Sequence, residues 1–206
     1  MNQPTTQWSI SKKIGFRFIF IYLGLHIFPF IITYIPYSNY ITAFYTDGRR
    51  SLILWVGEHI LNIGKLTIFP AGSGDTTYNY VEIFTFFMLA VIGVIIWSVL
   101  DRRRSNYSIL LRFFSVYVSY YVAVTMLSYG FAKVFYLQFS SPSLVRLLQP
   151  YGDSSPMGIA WTFMGASKTY TMFSGFTEVI GGLLLFFRRT RTFGSILIFG
   201  VMFNVF

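Results

Sequence analysis

Residues 81–100 read VEIFTFFMLAVIGVIIWSVL, and this stretch decides the class of fold. Glu82 is its only ionisable side chain, and Asp101 with three arginines follows it directly. As a helix that rises about 1.5 Å per residue, the stretch is about 30 Å long, which is the thickness of a bilayer core. Asn79 stands three residues before Glu82, a spacing typical of a helix start, and this spacing predicts a capping role for Glu82.

The composition supports a membrane protein. Apolar residues make up 54% of the 206 residues and charged residues 11%, about half the charged share of an ordinary soluble domain. The chain has no cysteine, which excludes disulfides, thiol nucleophiles and thiolate metal sites. Neither a His-x-x-x-His nor a Glu-x-x-His spacing occurs, so we expect no metal ligand set.

The remaining apolar runs predict an all-α integral membrane helical bundle. Four main transmembrane helices are expected, and a fifth, from Phe193, is cut short at Phe206, which suggests a truncated C-terminus. Pro29 is expected to kink the first helix. The other three predicted spans cover residues 14–35, 109–136 and 170–187.

The segments between the spans complete the predicted organisation. Glu58, His59 and Lys65 interrupt residues 52–69, which suits an interfacial or re-entrant helix better than a lipid-facing span. The other predicted segments are a cytoplasmic N-terminal tail over 1–13, a single transmembrane domain over 14–206, loops over 36–51 and 70–79, and a short surface helix over 143–149.

The charge distribution predicts an orientation. With the N-terminus in the cytoplasm, the inner side carries ten Lys and Arg residues against one acid, while six cations and six acids balance elsewhere. The net charge of +9 therefore lies wholly inside, as the positive-inside rule requires. This placement makes the lipid bilayer the expected partner and removes the need for nucleic acid.

Glu178 is the strongest candidate for a functional residue. It lies in an apolar helix between Gly175 and the Gly181-Gly182 pair, where another helix could approach closely. An ionisable group in the bilayer suggests a proton relay, a ligand contact or a buried ion pair, although a neutral hydrogen-bonded Glu would serve structure alone. Counted from Arg188 for Glu178 and from Arg112 for Lys133, the depths favour His26 or the Tyr120–Tyr121 pair as its partner. Lys133 stays an alternative if the short helix over 173–187 sits high or the bilayer thins.

Six further residues are weaker candidates, and each has an ordinary structural explanation. Lys133 suits a snorkelling side chain, and His26 suits a hydrogen-bonded core residue. Glu58 and His59 suit a wet interfacial helix, because adjacent helical residues point about 100° apart and bind a metal together poorly. Tyr129 and Trp161 suit aromatic residues at the membrane interface.

Three segments resemble a known family. They read MLSYGFAKVFYLQF (126–139), PSLVRLLQPYGD (142–153) and a long run from Ser155 that includes TEVIGGLLLFFRRT. Together they resemble the DoxX-like bacterial membrane proteins, and the resemblance covers about residues 79–206. It implies a small multi-pass helical bundle of the bacterial cytoplasmic (inner) membrane. The family takes its name from a subunit linked to a thiosulfate–quinone oxidoreductase and terminal oxidase.

Three functions follow as hypotheses. The resemblance implies an accessory subunit of a respiratory or redox-related membrane process, with other membrane subunits as partners and quinone or lipid contacting Glu178. A membrane-embedded enzyme is the alternative, with Glu178 as acid or base on a lipid-like substrate and Lys133 or His26 assisting. It requires an aromatic-lined cavity. A small-molecule transporter ranks last, because the chain shows no internal repeat.

Overall fold

Helices form all the regular secondary structure in the described residues, which are 7–66, 68 and 76–205 in this computed structural model. The prediction of an all-α fold is therefore confirmed for this part of the chain. The α-helices are α1 (Ile10–Ile27), α2 (Pro29–Thr33), α3 (Asn39–His59), α4 (Thr77–Leu100), α5 (Ser108–Val134), α6 (Leu144–Leu148), α7 (Pro156–Ala166), α8 (Lys168–Phe186) and α9 (Arg191–Val205), with a 3-10 turn at Tyr151–Asp153.

The described residues divide into two compact units, which we treat separately. The first unit lies within Met1–Phe114 and the second within Ser115–Phe206. The division falls inside α5, whose first residues belong to the first unit and whose remainder belongs to the second. The single transmembrane domain over 14–206 stays a prediction.

The first unit is built around α4, which packs against both α1 and α3. Ser9 caps α1 by accepting a hydrogen bond from the Lys12 backbone, so the last four residues of the predicted N-terminal tail are helical. The chain breaks at Phe28 and restarts with Pro29 as the first residue of α2, where proline's missing N–H costs nothing. Pro29 is expected to kink the first helix, and the structure divides the helix at this point, between Ile27 and Pro29.

One loop prediction and one helix boundary in the first unit are wrong. Residues 39–51, expected as loop, form the first half of α3, and the helix expected over 52–69 ends at His59. Tertiary contacts hold this half in place, because the Tyr45 hydroxyl donates to the Leu25 carbonyl oxygen at 2.7 Å and Arg49 forms an ion pair with Glu82 of α4. The predicted loop over 70–79 lies outside the described residues up to 75, and its last three residues belong to α4.

The second unit consists of the rest of α5 with α6 to α9. Helix α8 is central, because α7 and α9 both pack against it and glycines bring it against α5. Its apolar core is a cluster of Ala123, Met126, Leu185 and Ile198. The predicted surface helix is confirmed as α6, whose leucines are largely exposed.

Three helical stretches are long and apolar enough to cross a membrane: Ile10–Thr33, Thr77–Leu100 and Ser108–Val134. They correspond to three of the four predicted main spans. Helix α8 is not among them, since its 19 residues include Lys168, Glu178 and several small polar residues. Its crossing of the membrane, and that of the shorter apolar helix Arg191–Phe203, stay predictions.

Candidate functional site

Lys133 and Glu178 form a buried ion pair in the second unit. The Lys133 Nζ donates to Oε1 of Glu178, and the two residues expose only 5% and 2% of their surfaces. Lys133 comes from the last turn of α5 and Glu178 from the middle of α8. Burying two charges is expensive, and direct pairing is what makes it tolerable.

Glycines explain how the two side chains meet. A Cβ atom added to Gly175 would lie 2.7 Å from the Gly130 carbonyl oxygen and 2.8 Å from the Lys133 Cβ atom. Gly182 lies against α5 in the same way, with 3.0 Å to the Ala123 carbonyl oxygen. Because only a hydrogen atom fits at these positions, α5 and α8 approach at backbone distance, as the glycine pattern predicts.

Of the partners left open for Glu178, the structure pairs it with Lys133, so the preference for His26 or the Tyr120–Tyr121 pair by depth alone is wrong. The depth count assumed that Arg112 and Arg188 mark one level. Gly130 and Gly175, which touch, lie 18 residues after Arg112 and 13 residues before Arg188. The two reference points therefore differ by five residues, or about 7 Å of helix.

The chain after α5 turns back over this pair. Tyr136 adopts the left-handed conformation with a φ of 59°, and the Leu137 amide donates to the Ala132 carbonyl oxygen at 2.7 Å. The Tyr136 hydroxyl donates to the Gly165 carbonyl oxygen and so fixes the turn on α7. This turn places Gln138 and Phe139 beside Lys133, whose Nζ lies 5.9 Å from the Phe139 ring centre.

A cavity of about 550 Å³ opens beside Lys133 within the second unit. Its volume falls within the range of roughly 300–1,000 Å³ that is usual for small-molecule sites. Its polar lining includes Lys133, Gln138 and Thr177. Its walls include five aromatic side chains, Phe139, Trp161, Phe163, Tyr170 and Phe173. Glu178 does not line the cavity, so Lys133 is the member of the pair that faces it.

Two buried oxygen atoms in the described residues have no hydrogen-bond partner: Oε2 of Glu178 and Oε1 of Gln138. Native structures satisfy most buried polar atoms, so each exception needs an explanation. Both residues lie next to Lys133, since Glu178 is its ion-pair partner and Gln138 lines the same cavity. Hydrogen-bonding capacity that is left over beside a cavity is typical of a ligand site.

The other predicted site residues do not join this cluster, except Trp161. Trp161 lines the cavity and packs edge-on against Phe139. Tyr129 is half-exposed on α5. Glu58 and His59 are exposed at the end of α3, where the His59 ring stacks on Trp55. No group of three or more possible metal ligands occurs in the described ranges.

His26 lies in the first unit and is partly buried. Its ring contacts the rings of Tyr22 and Phe86 at centre distances of 4.9 and 4.7 Å. The hydrogen bond predicted for it is absent among the described residues, and aromatic contacts take its place.

Glu82, also in the first unit, forms an ion pair with Arg49, whose Nε donates at 2.5 Å. The capping role predicted for Glu82 is wrong, because Thr76 caps α4.

Arg17 is the buried group that sequence reasoning missed. It is 5% exposed, and its guanidinium donates to the Tyr107 hydroxyl, to Ser98 Oγ and to the Asp101 carbonyl oxygen at 2.6 to 3.1 Å. The Tyr107 hydroxyl in turn donates to the Asp101 carboxylate at 2.9 Å. In the sequence, Arg17 lies early in an apolar helix and counts as one more inner-side cation. Only its hydrogen bonds to residues far along the chain reveal the network.

Comparison with known proteins adds one uncharacterised relative. Uncharacterized protein YwoB of Bacillus subtilis (strain 168) is 31% identical over 87 residues, which are 41% of this chain and 53% of that protein. The chain thus matches about half the length of this curated relative. No family model matches the chain. No solved structure matches it either.

Proposed function

We propose that this chain is a multi-pass membrane protein that binds a small amphipathic molecule, lipid-like or quinone-like, in the cavity of the second unit. The observation that carries the proposal is the aromatic cavity whose polar end contains Lys133, paired behind it with Glu178. Apolar walls with a few converging polar groups are what a small-molecule site requires. The three candidate spans support a membrane location, where lipid-soluble ligands are available.

The geometry favours binding over catalysis by Glu178. A general acid or base must reach the atom whose proton it moves, at about 2.6–3.2 Å or through one water. Glu178 pairs with Lys133 and does not line the cavity, so it serves as the counter-charge that holds the Lys133 side chain in place. Lys133 would contact the ligand. The chain is therefore proposed as a binding or accessory protein rather than an enzyme or a transporter.

The cellular setting of this proposal comes from the resemblance to the DoxX-like proteins. The resemblance supports a location in the bacterial inner membrane beside other subunits of a respiratory or redox-related process, and the Lys and Arg distribution supports a cytoplasmic N-terminus. A Glu178→Gln variant tests this accessory role. We expect it to lower membrane redox activity or partner recovery in a pull-down. Unchanged values for both would remove the support for such a role.

The binding proposal is tested by filling the cavity. Gly200 lines it, and a Cβ atom there would meet no other atom within 4 Å, so Gly200→Phe adds a ring without a backbone clash. Gly24 in α1 has the same open surroundings outside the cavity, which makes Gly24→Phe the matched control. The full chain and both variants are purified in mild detergent, and bound amphiphiles are extracted and identified by mass spectrometry.

We expect the wild type and Gly24→Phe to retain the same amphiphile at similar occupancy, and Gly200→Phe to retain little of it. Circular dichroism and thermal unfolding establish that both variants are folded. The proposal fails if no molecule is enriched over the bulk membrane lipids. It also fails if folded Gly200→Phe holds as much ligand as the wild type.

A further inference from the structure

We infer that the cavity takes a neutral amphiphile with a hydroxyl group at its polar end, as in an alkylphenol or a long-chain alcohol. The inference rests on the ligand binding proposed above and names the chemical class of that ligand. Two observations carry it: the charge balance of the Lys133–Glu178 pair, and the unpartnered oxygen of Gln138.

The charge balance favours a neutral ligand. Glu178 already compensates the ammonium of Lys133, so the polar end of the cavity has no excess charge. A carboxylate or phosphate ligand would bring a second anion close to Glu178 in a poorly solvated site, where like charges repel strongly. Lys133 still has two N–H groups with no acceptor among the described residues, and they suit a neutral oxygen acceptor.

Gln138 adds the requirement for a hydrogen-bond donor. Its side chain lines the cavity, but its Oε1 is buried and has no partner in the described structure. The terminal torsion of glutamine is broad and two-fold, and a half-turn exchanges the positions of the amide oxygen and nitrogen, so Gln138 can offer Oε1 to a ligand in the cavity. A ligand that donates a hydrogen bond to Oε1 gains affinity, because it satisfies an oxygen that is otherwise buried without a partner. A ligand that only accepts hydrogen bonds leaves that oxygen unsatisfied.

A hydroxyl group meets both requirements at one atom. Its oxygen accepts from the Lys133 ammonium and its proton goes to Gln138 Oε1. The remainder of the ligand lies against Phe139, Trp161 and the other aromatic walls, which suit an alkyl chain or a ring. Aromatic and aliphatic hydroxyl compounds share this chemistry, so the experiment includes one of each.

The test compares four amphiphiles of similar length. The full chain is reconstituted in phosphatidylcholine nanodiscs and titrated calorimetrically with para-octylphenol, its methyl ether para-octylanisole, decanol and decanoate, with empty nanodiscs subtracted. We expect at least one hydroxyl compound to bind about tenfold or more tightly than para-octylanisole, as a hydrogen bond to an otherwise unsatisfied buried group implies. Decanoate is expected to bind more weakly than decanol.

The Gln138→Leu variant tests whether Gln138 causes the preference for the hydroxyl compounds over the ether. It should keep the affinity for para-octylanisole and reduce the phenol-to-ether ratio to about one, whereas Ser128→Ala, an exposed position outside the cavity, should keep the wild-type ratio. Equal binding of ether and hydroxyl compounds, tighter binding of decanoate, or an unchanged ratio in Gln138→Leu would overturn the inference while leaving the cavity a binding site. Binding of none of the four would overturn the proposed function itself.

Discussion

Each unit of this protein buries one cation of a long helix, Arg17 near the start of α1 and Lys133 near the end of α5. The two cations differ in their hydrogen-bond partners. In the first, the Arg17 guanidinium donates to three groups, and its principal acceptor, the Tyr107 hydroxyl, is itself bonded to Asp101. In the second, the Lys133 ammonium donates to one carboxylate oxygen, and the other oxygen of that carboxylate has no partner. A cavity lies beside Lys133.

This difference separates a structural charge from a candidate functional one. A guanidinium has five donors in a fixed plane, so a complete set of partners makes it a rigid cross-link. Arg17 joins α1 to the end of α4 and to the segment before α5 in this way. A compact ammonium with spare N–H groups beside a cavity keeps part of its binding capacity for a ligand. Burial alone would have ranked the two cations equally.

The largest expected effect comes from breaking the Lys133–Glu178 pair. Glu178→Leu leaves the Lys133 charge without a counter-charge, and we expect the free energy of unfolding to fall by about 3–5 kcal/mol. The double variant Lys133→Met/Glu178→Leu removes both charges and should recover most of that loss. Unfolding in mixed micelles at increasing dodecyl sulfate measures both values. Equal losses in the single and double variants would contradict a role for charge compensation.

A smaller effect is expected from making the first unit resemble the second. Arg17→Lys keeps the positive charge but cannot span Tyr107, Ser98 and the Asp101 carbonyl together, so we expect a loss of about 2–3 kcal/mol. The same unfolding assay applies, with Lys12→Arg at the exposed start of α1 as the control. A loss within error of that control would mean that the charge of Arg17, and not its geometry, holds the network.

The smallest effect concerns the helix contact that places Lys133. Gly175→Ala pushes a Cβ atom against backbone atoms of α5, which cannot move aside like a side chain, and should cost about 1–2 kcal/mol. Gly24→Ala, in open surroundings, should instead stabilise its helix by up to about 1 kcal/mol. Both are measured by thermal unfolding in one detergent. Stabilisation by Gly175→Ala would show that α5 and α8 do not need their close approach.

Much of the helical framework was predictable, because apolar runs of about 20 residues leave the chain few alternatives. Residues 81–100 and the run before Lys133 are too long and too apolar for a soluble core, and both lie in long helices. The loop predicted over residues 36–51 was wrong, because most of it lies in helix α3. Its first half has no continuous apolar pattern, and its contacts are made with residues far along the chain: Tyr45 donates to the Leu25 carbonyl oxygen and Arg49 pairs with Glu82.

Sequence by itself predicted the helical fold seen in the described residues, located three of its four predicted main spans in helices long and apolar enough to cross a membrane, and singled out Glu178 among glycines. Composition and run length suffice for these conclusions, because they depend on what each segment can do alone. Tertiary structure alone decided that Lys133 pairs with Glu178, that Arg49 pairs with Glu82, and that Gln138 reaches the cavity. The two ion pairs depend on how far one packed helix is shifted along the other, and the position of Gln138 depends on the left-handed conformation of Tyr136. Neither can be predicted from one segment of the sequence.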